Sequence, residues 1–137
     1  FLRGHELAET LRAAALPGVL VRPVSFRPTF EKHAGVVCHG VMLHVTDPAS
    51  FRPVMTYLTL LAEARKQAPE EFEFRTAPYE CEATIPAFDL LTGSSEAREA
   101  LLTGASADRL VDLVTPVPPE WRDTVHGAED RLARAGA

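Results

Sequence analysis

A chain of 137 residues, 46% hydrophobic and 24% charged, has the size and mix of one globular domain. It is long enough to bury about two-thirds of its extended surface and makes no case for a disordered or fibrous protein. The net charge of −5 comes with no basic stripe to hold nucleic acid, and no apolar run approaches the ~20 residues of a membrane span. Two cysteines, Cys38 and Cys81, make no disulfide framework and read as free thiols. The start at Phe1, without a signal pattern, reads as a fragment or processed product and is silent on export.

In chain order, His5 to Ala15 has the spacing of a short amphipathic helix, with Leu7, Ala8, Leu11, Ala14 and Ala15 on one face, stopped by Pro17 and Gly18. Leu20 to Phe26 is rich in β-branched and aromatic residues, and Val41, Leu43 and Val45 alternate with Met42 and His44, so two strands are expected. The connection from Arg27 to Gly40 is polar and carries more chemistry than a hairpin needs. Thr46 or Asp47 caps a turn at Pro48, and Pro53 opens the main helix, whose stripe of Val54, Tyr57, Leu58, Leu61 and Ala62 predicts that it lies across the sheet with Tyr57 in the core.

Pro69 ends that helix. Glu71 to Arg75 alternates like a short strand, with Phe72 and Phe74 on one side. Ala77 to Ala87 holds Pro78 and Pro86 and reads as an extended segment or edge strand. Phe88 to Leu91 is an apolar anchor, Gly93 makes a turn, Ser94 or Ser95 caps a helix ended by Gly104, and Ser106 starts another through Leu113. Residues 1–115 thus form the domain proper. Residues 116–137 add a stiff linker with Pro116, Pro118 and Pro119 and a terminal helix from Glu120 to Ala133 that buries Trp121, Val125, Ala128 and Leu132. The fold class is α+β, a two-layer domain with a small mixed or antiparallel sheet packed by helices.

Several motifs occur in a fixed order: RPVSFRPTFEKHAGVVCHGVMLHVTD from Arg22 to Asp47, FRPV from Phe51, PYE from Pro78 and DLLTGSSEAR from Asp89. Together, over Leu7 to Leu113, they resemble the C-terminal domain of the exo-β-N-acetylmuramidase NamZ family. Beyond Thr115 the sequence departs from the family pattern, and nothing is carried over there. The resemblance implies a two-domain glycoside hydrolase that removes N-acetylmuramic acid from the non-reducing end of peptidoglycan fragments. Its catalytic glutamates are expected in an N-terminal Rossmann-like domain, with this domain closing one wall of the cleft. It further implies muramic-acid glycans as partners, no cofactor, and a place in the cell envelope or outside the cell. On this reading the fragment is part of a hydrolase and inactive alone; the alternative is a stand-alone muropeptide- or carbohydrate-binding module, or a structural interaction module.

Among candidate site residues, Lys32 leads. A lactyl or peptide carboxylate gains from a cation in a partly enclosed cleft, and Thr29, Phe30 and His33 beside it offer a hydroxyl, an apolar ring and a titratable donor. Glu80 and Glu82 lie two apart in an extended segment, about 6.6–6.8 Å along a strand. That spacing is usable for a carboxyl pair, so both are catalytic candidates, with Glu80 also a cleft-lining one. Cys38, His39 and His44 invite a metal or thiol reading, but no closed ligand set appears and no metal is expected. Residues 38 and 39 fall on opposite faces of a strand, as do His39 and His44; His33 is then the possible partner of the Cys38 thiol. Arg22 is the candidate structural arginine, paired with Asp47 or Glu31.

Overall fold

The computed structural model describes residues 2–30, 32–75, 78–114 and 118–135. Helix α1, Gly4–Ala13, is followed by strands β1, Val19–Phe26, and β2, Cys38–Val45, which pair antiparallel from Val19↔Val45 to Phe26↔Cys38. Five further helices follow: α2 Pro53–Gln67, α3 Ala87–Thr92, α4 Glu96–Leu102, α5 Ala107–Val114 and α6 Pro119–Ala135. The class is α+β, and the sheet is a single two-stranded hairpin among the described residues.

Alternation gives the hairpin two unlike faces. Val21 on β1 and its neighbours Val41 and Leu43 on β2 point inward, where they pack with Leu7, Ala8 and Leu11 of α1 and with Leu60 of α2. The helix that covers the sheet is therefore α1, not α2. It sits close, because a Cβ on Gly4 would meet the Gly40 carbonyl oxygen at 2.6 Å. Arg12 Nε fixes the other end by donating to the Val21 carbonyl at 2.7 Å, satisfying an edge-strand acceptor. The helix stops at Ala13, so Ala14 and Ala15 are exposed and extend no apolar stripe.

A second core lies among the helices, where Leu58 and Ala62 of α2 meet Leu101 of α4 and Leu110 of α5. Val54 and Tyr57 of α2 are exposed, contrary to the core expectation, while Thr56 and Thr59 are buried instead. Both threonines return their hydroxyls to helix carbonyls, Thr56 to Arg52 and Thr59 to Met55, so neither brings an unsatisfied group into the core. The stretch 71–75 forms no strand. Its alternation still operates: Phe72 and Phe74 turn together onto the helical core, Phe72 edge-on to Phe74 and Phe74 against Phe88 (centroids 5.6 and 4.9 Å), while Glu71 and Glu73 face outward.

The described part of the Pro78–Ala87 segment is a tight turn rather than an extended strand, closed by paired hydrogen bonds between Tyr79 and Glu82. Gly93, in the left-handed region at φ 84°, ends α3. Arg98 of α4 donates from Nε to both oxygens of buried Asp89, at 2.7 and 3.0 Å, and this bond raises its pKa further. The DLLTGSSEAR motif is thus a clasp joining α3 to α4. In α6, Trp121 and Val125 are exposed and Ala128 is half-buried, so the anticipated burial does not occur for the first two. Of the expected linker, Pro116 lies outside the described residues, as does the Leu132 side chain, whereas Pro119 opens α6 instead of extending the linker.

Candidate functional site

The connection between the strands runs over residues 27–37, shorter than expected, because Cys38, His39 and Gly40 belong to β2. Its backbone folds on itself: Gly35 N–H donates to the Pro28 carbonyl at 2.8 Å and Val36 N–H to the His33 carbonyl at 3.0 Å. His33 takes φ 67° and Gly35 φ 76°, two left-handed residues that let the loop reverse twice. Thr29, Phe30, Lys32 and His33 all stand exposed at its tip, with Phe30 73% accessible, so the loop presents every one of its candidate groups outward. Lys32 makes no ion pair among the described residues, and Glu31 lies outside them.

Strand parity separates the histidines as expected. His39 shares the inner side with Ser25, beyond the cover of α1, and its Nδ1 is 2.8 Å from the Ser25 hydroxyl. His44 is on the outer face, where its Nε2 accepts from Arg22 Nε at 3.0 Å. The Cys38 thiol points toward the Val36 carbonyl at 3.7 Å and lines one hollow with His33, with no hydrogen bond between the two. No group of three metal-ligating side chains comes together among the described residues.

Arg22 does not pair with Asp47. That carboxylate is taken by the Ser50 hydroxyl at 2.6 Å and the Ala49 N–H at 3.0 Å, which together hold its pKa below the usual carboxylate range. The guanidinium instead lies across the hairpin, reaching Met42 Sδ at 3.3 Å as well as His44. It borders a cleft of about 670 Å³ between the hairpin and the Tyr57–Leu60 turn of α2. Sequence reasoning missed this site because Tyr57 fits a core stripe; its neighbour Thr56, which took the buried place, was the available signal.

Glu80 and Glu82 do not form a carboxyl pair on one strand face. Glu80 sits at a turn corner with φ 52°, and the Glu82 carboxylate turns back onto the Thr84 hydroxyl and N–H and the Ile85 N–H, which hold its pKa down. A carboxylate kept ionised by three local donors is suited to fixing a loop rather than to donating a proton.

The arrangement defines a small α+β domain that displays an exposed polar loop and one uncovered hairpin face. The model of the family described as exo-beta-N-acetylmuramidase NamZ, C-terminal, matches residues 1–127, and the chain belongs to that family. The match reaches into α6, beyond the Thr115 limit read from motifs alone. The chain is 38% identical over 112 residues to the peptidoglycan beta-N-acetylmuramidase NamZ of Bacillus subtilis (strain 168), covering 82% of this chain and 25% of that protein. It also matches the crystal structure of a DUF1343 family protein from Bacteroides fragilis NCTC 9343, with TM-score 0.65 at 23% identity over 82% of this chain and 29% of that one, a likeness of fold. The chain therefore spans about a quarter of the length of its curated relative. Among the described residues no helix is long and apolar enough to cross a membrane.

Proposed function

We propose that this domain is the accessory half of an exo-acting β-N-acetylmuramidase. It closes one wall of the substrate cleft against a preceding Rossmann-like domain that carries the catalytic glutamates, and it helps hold N-acetylmuramic acid at the non-reducing end of peptidoglycan fragments. The observation that carries this reading is the match of residues 1–127 to the C-terminal NamZ family model in a chain that spans a quarter of its curated relative; in keeping with it, the Glu82 carboxylate is engaged in a local turn while the loop and outer hairpin face stand exposed. Leu20, Phe26 and Met42, 55%, 54% and 42% accessible, give that outer face an apolar surface of the kind a second domain covers.

Within the proposal, Lys32 supplies the cation for a substrate carboxylate, with Thr29, Phe30 and His33 around it, and Glu80 is a hydrogen-bonding residue at the cleft margin. In the intact two-domain protein, Lys32→Ala is expected to cost about 1.5–3 kcal/mol in kcat/KM for muramic-acid substrates, the worth of one charge-assisted hydrogen bond. The melting temperature should hardly move, because Lys32 is exposed. The 137-residue chain alone is expected to release no chromophore from a chromogenic muramide. Robust hydrolysis by that chain would return Glu80 and Glu82 to the reaction.

A further inference from the structure

The register sets Arg22 opposite Met42 and diagonal to His44 on the outer face of the hairpin. Its Nε donates to His44 Nε2 at 3.0 Å and one terminal nitrogen reaches Met42 Sδ at 3.3 Å, so two contacts fix the guanidinium plane while three of its five N–H groups stay uncommitted to either. Both partners are groups without negative charge, and no carboxylate pairs with Arg22 among the described residues. Several other arginines are engaged differently: Arg98 and Arg3 have carboxylates, and Arg12 and Arg65 have carbonyls. A guanidinium oriented in advance and left without an anion is the arrangement that recognises a planar carboxylate.

The space beside it suits a sugar. The cleft of about 670 Å³ is within the range of small-molecule sites, and it sets the charge of Arg22 against the apolar surfaces of Met42, Phe26 and Leu60. Tyr57, 56% accessible, adds an aromatic ring on the same rim, a flat surface for the C–H face of a pyranose with a phenol at its edge.

We propose that this cleft binds a carboxylate-bearing sugar, with Arg22 taking the carboxylate and Tyr57 packing on the ring. The site is distinct from the Lys32 loop, which does not line it. Naming the sugar acid as N-acetylmuramic acid rests on the muramidase reading; the pairing of carboxylate with sugar ring comes from the cleft itself.

An NMR titration of the 137-residue chain tests it, with N-acetylmuramic acid, N-acetylglucosamine and muramyl dipeptide as probes. The first two differ by the lactyl group, and the third moves the free carboxylate to the peptide end. N-acetylmuramic acid is expected to shift the Arg22 Nε–H, the Met42 methyl and the Tyr57 ring, with N-acetylglucosamine leaving the Arg22 signal in place. Arg22→Gln should weaken Kd for the acid at least tenfold with the rest of the amide spectrum unchanged, and Tyr57→Ala should weaken the acid as well. A response at these residues to the dipeptide alone supports the site and assigns the carboxylate to the peptide. Equal shifts at Arg22 with both monosaccharides, or none from any probe, overturn the proposal. In the intact protein, unchanged kcat/KM for muramides in Arg22→Gln would overturn this site and leave the muramidase reading standing. Absence of any muramide hydrolysis by that intact protein would do the reverse, since the titration does not depend on turnover.

Discussion

The two faces of one hairpin, built from alternate residues of the same sixteen-residue pair of strands, have opposite fates. Val21 faces inward at 2% accessibility under α1, while its neighbour Leu20 faces outward at 55%. Where α1 covers it the inner face is apolar, with the polar Ser25 and His39 left beyond, and the helix start approaches β2 within backbone contact at Gly4 and Gly40. The outer face is mixed, with Arg22 and His44 set among Leu20, Phe26 and Met42. One face stabilises the domain, and the other spends exposed apolar area that folding of this chain alone does not reward. A two-stranded sheet makes that division sharp, since among the described residues no third strand joins it and α1 covers one face only.

The covered face should be the more fragile. Leu11, 1% accessible, fills the space between α1 and the hairpin, and Leu11→Ala is expected to lower unfolding free energy by about 2–5 kcal/mol, read from urea denaturation. A loss below about 1 kcal/mol would mean that α1 does not hold the sheet. Next in size is the device that keeps the faces from exchanging. Gly18 sits at φ 68°, and its carbonyl accepts the Thr46 and Asp47 N–H groups at the open end of the hairpin. A one-residue slip would turn every side chain over, so this end fixes the register. A Cβ there would lie 2.4 Å from the Asp47 carbonyl oxygen and demand a left-handed alanine. Gly18→Ala should therefore cost more than about 1 kcal/mol, checked in the same denaturation series.

This division was readable in the sequence because period-2 alternation is a local property: Val41 and Leu43 against Met42 needed no knowledge of the partner, although at the strand's end Val45 is exposed, at 49%, and His44 half-buried. What α2 does was not readable. Its stripe of Val54, Tyr57 and Leu58 has the right spacing for a helix face, but spacing does not say which layer claims the helix. Here α1 had taken the sheet, so α2 rotated toward α4 and α5 and buried Thr56 and Thr59 in place of Val54 and Tyr57. Likewise Phe72 and Phe74 alternate as in a strand, yet they serve a helical core with no ladder, since two aromatic anchors suffice to pin an extended segment. The turn at Glu80 was hidden by its residue type, a glutamate in the left-handed region being rare. The loop candidates Lys32, His33, Thr29 and Phe30 were placed correctly in a connection, though composition gave no measure of how far the loop folds on itself.

On the uncovered face the expected stability effect is small. Leu20→Ser should change unfolding free energy by no more than about 0.5 kcal/mol, since the side chain already meets water. If, as proposed, a second domain covers this face, the same change in the intact protein should loosen that contact, seen as earlier proteolytic separation of the two domains. A large loss of stability in the 137-residue chain would instead show that the outer face is covered within this chain.

The finest test concerns pH at the foot of the hairpin, where Asp47 joins the strands to the turn before α2. The Ser50 hydroxyl first, and then the Ala49 N–H, lower its pKa in the folded state, so folding favours the ionised form. Its contribution is accordingly present above the ordinary aspartate value of about 3.9 and is lost as pH falls through the lowered folded value. Glu82, lowered by Thr84 and Ile85, follows the same sign. Melting temperatures of the parent and of Asp47→Asn, measured from pH 7 down to about pH 3, should differ at neutral pH and converge toward the acid end. A constant difference over that range would show that the Asp47 bonds to Ser50 and Ala49 do not depend on its charge.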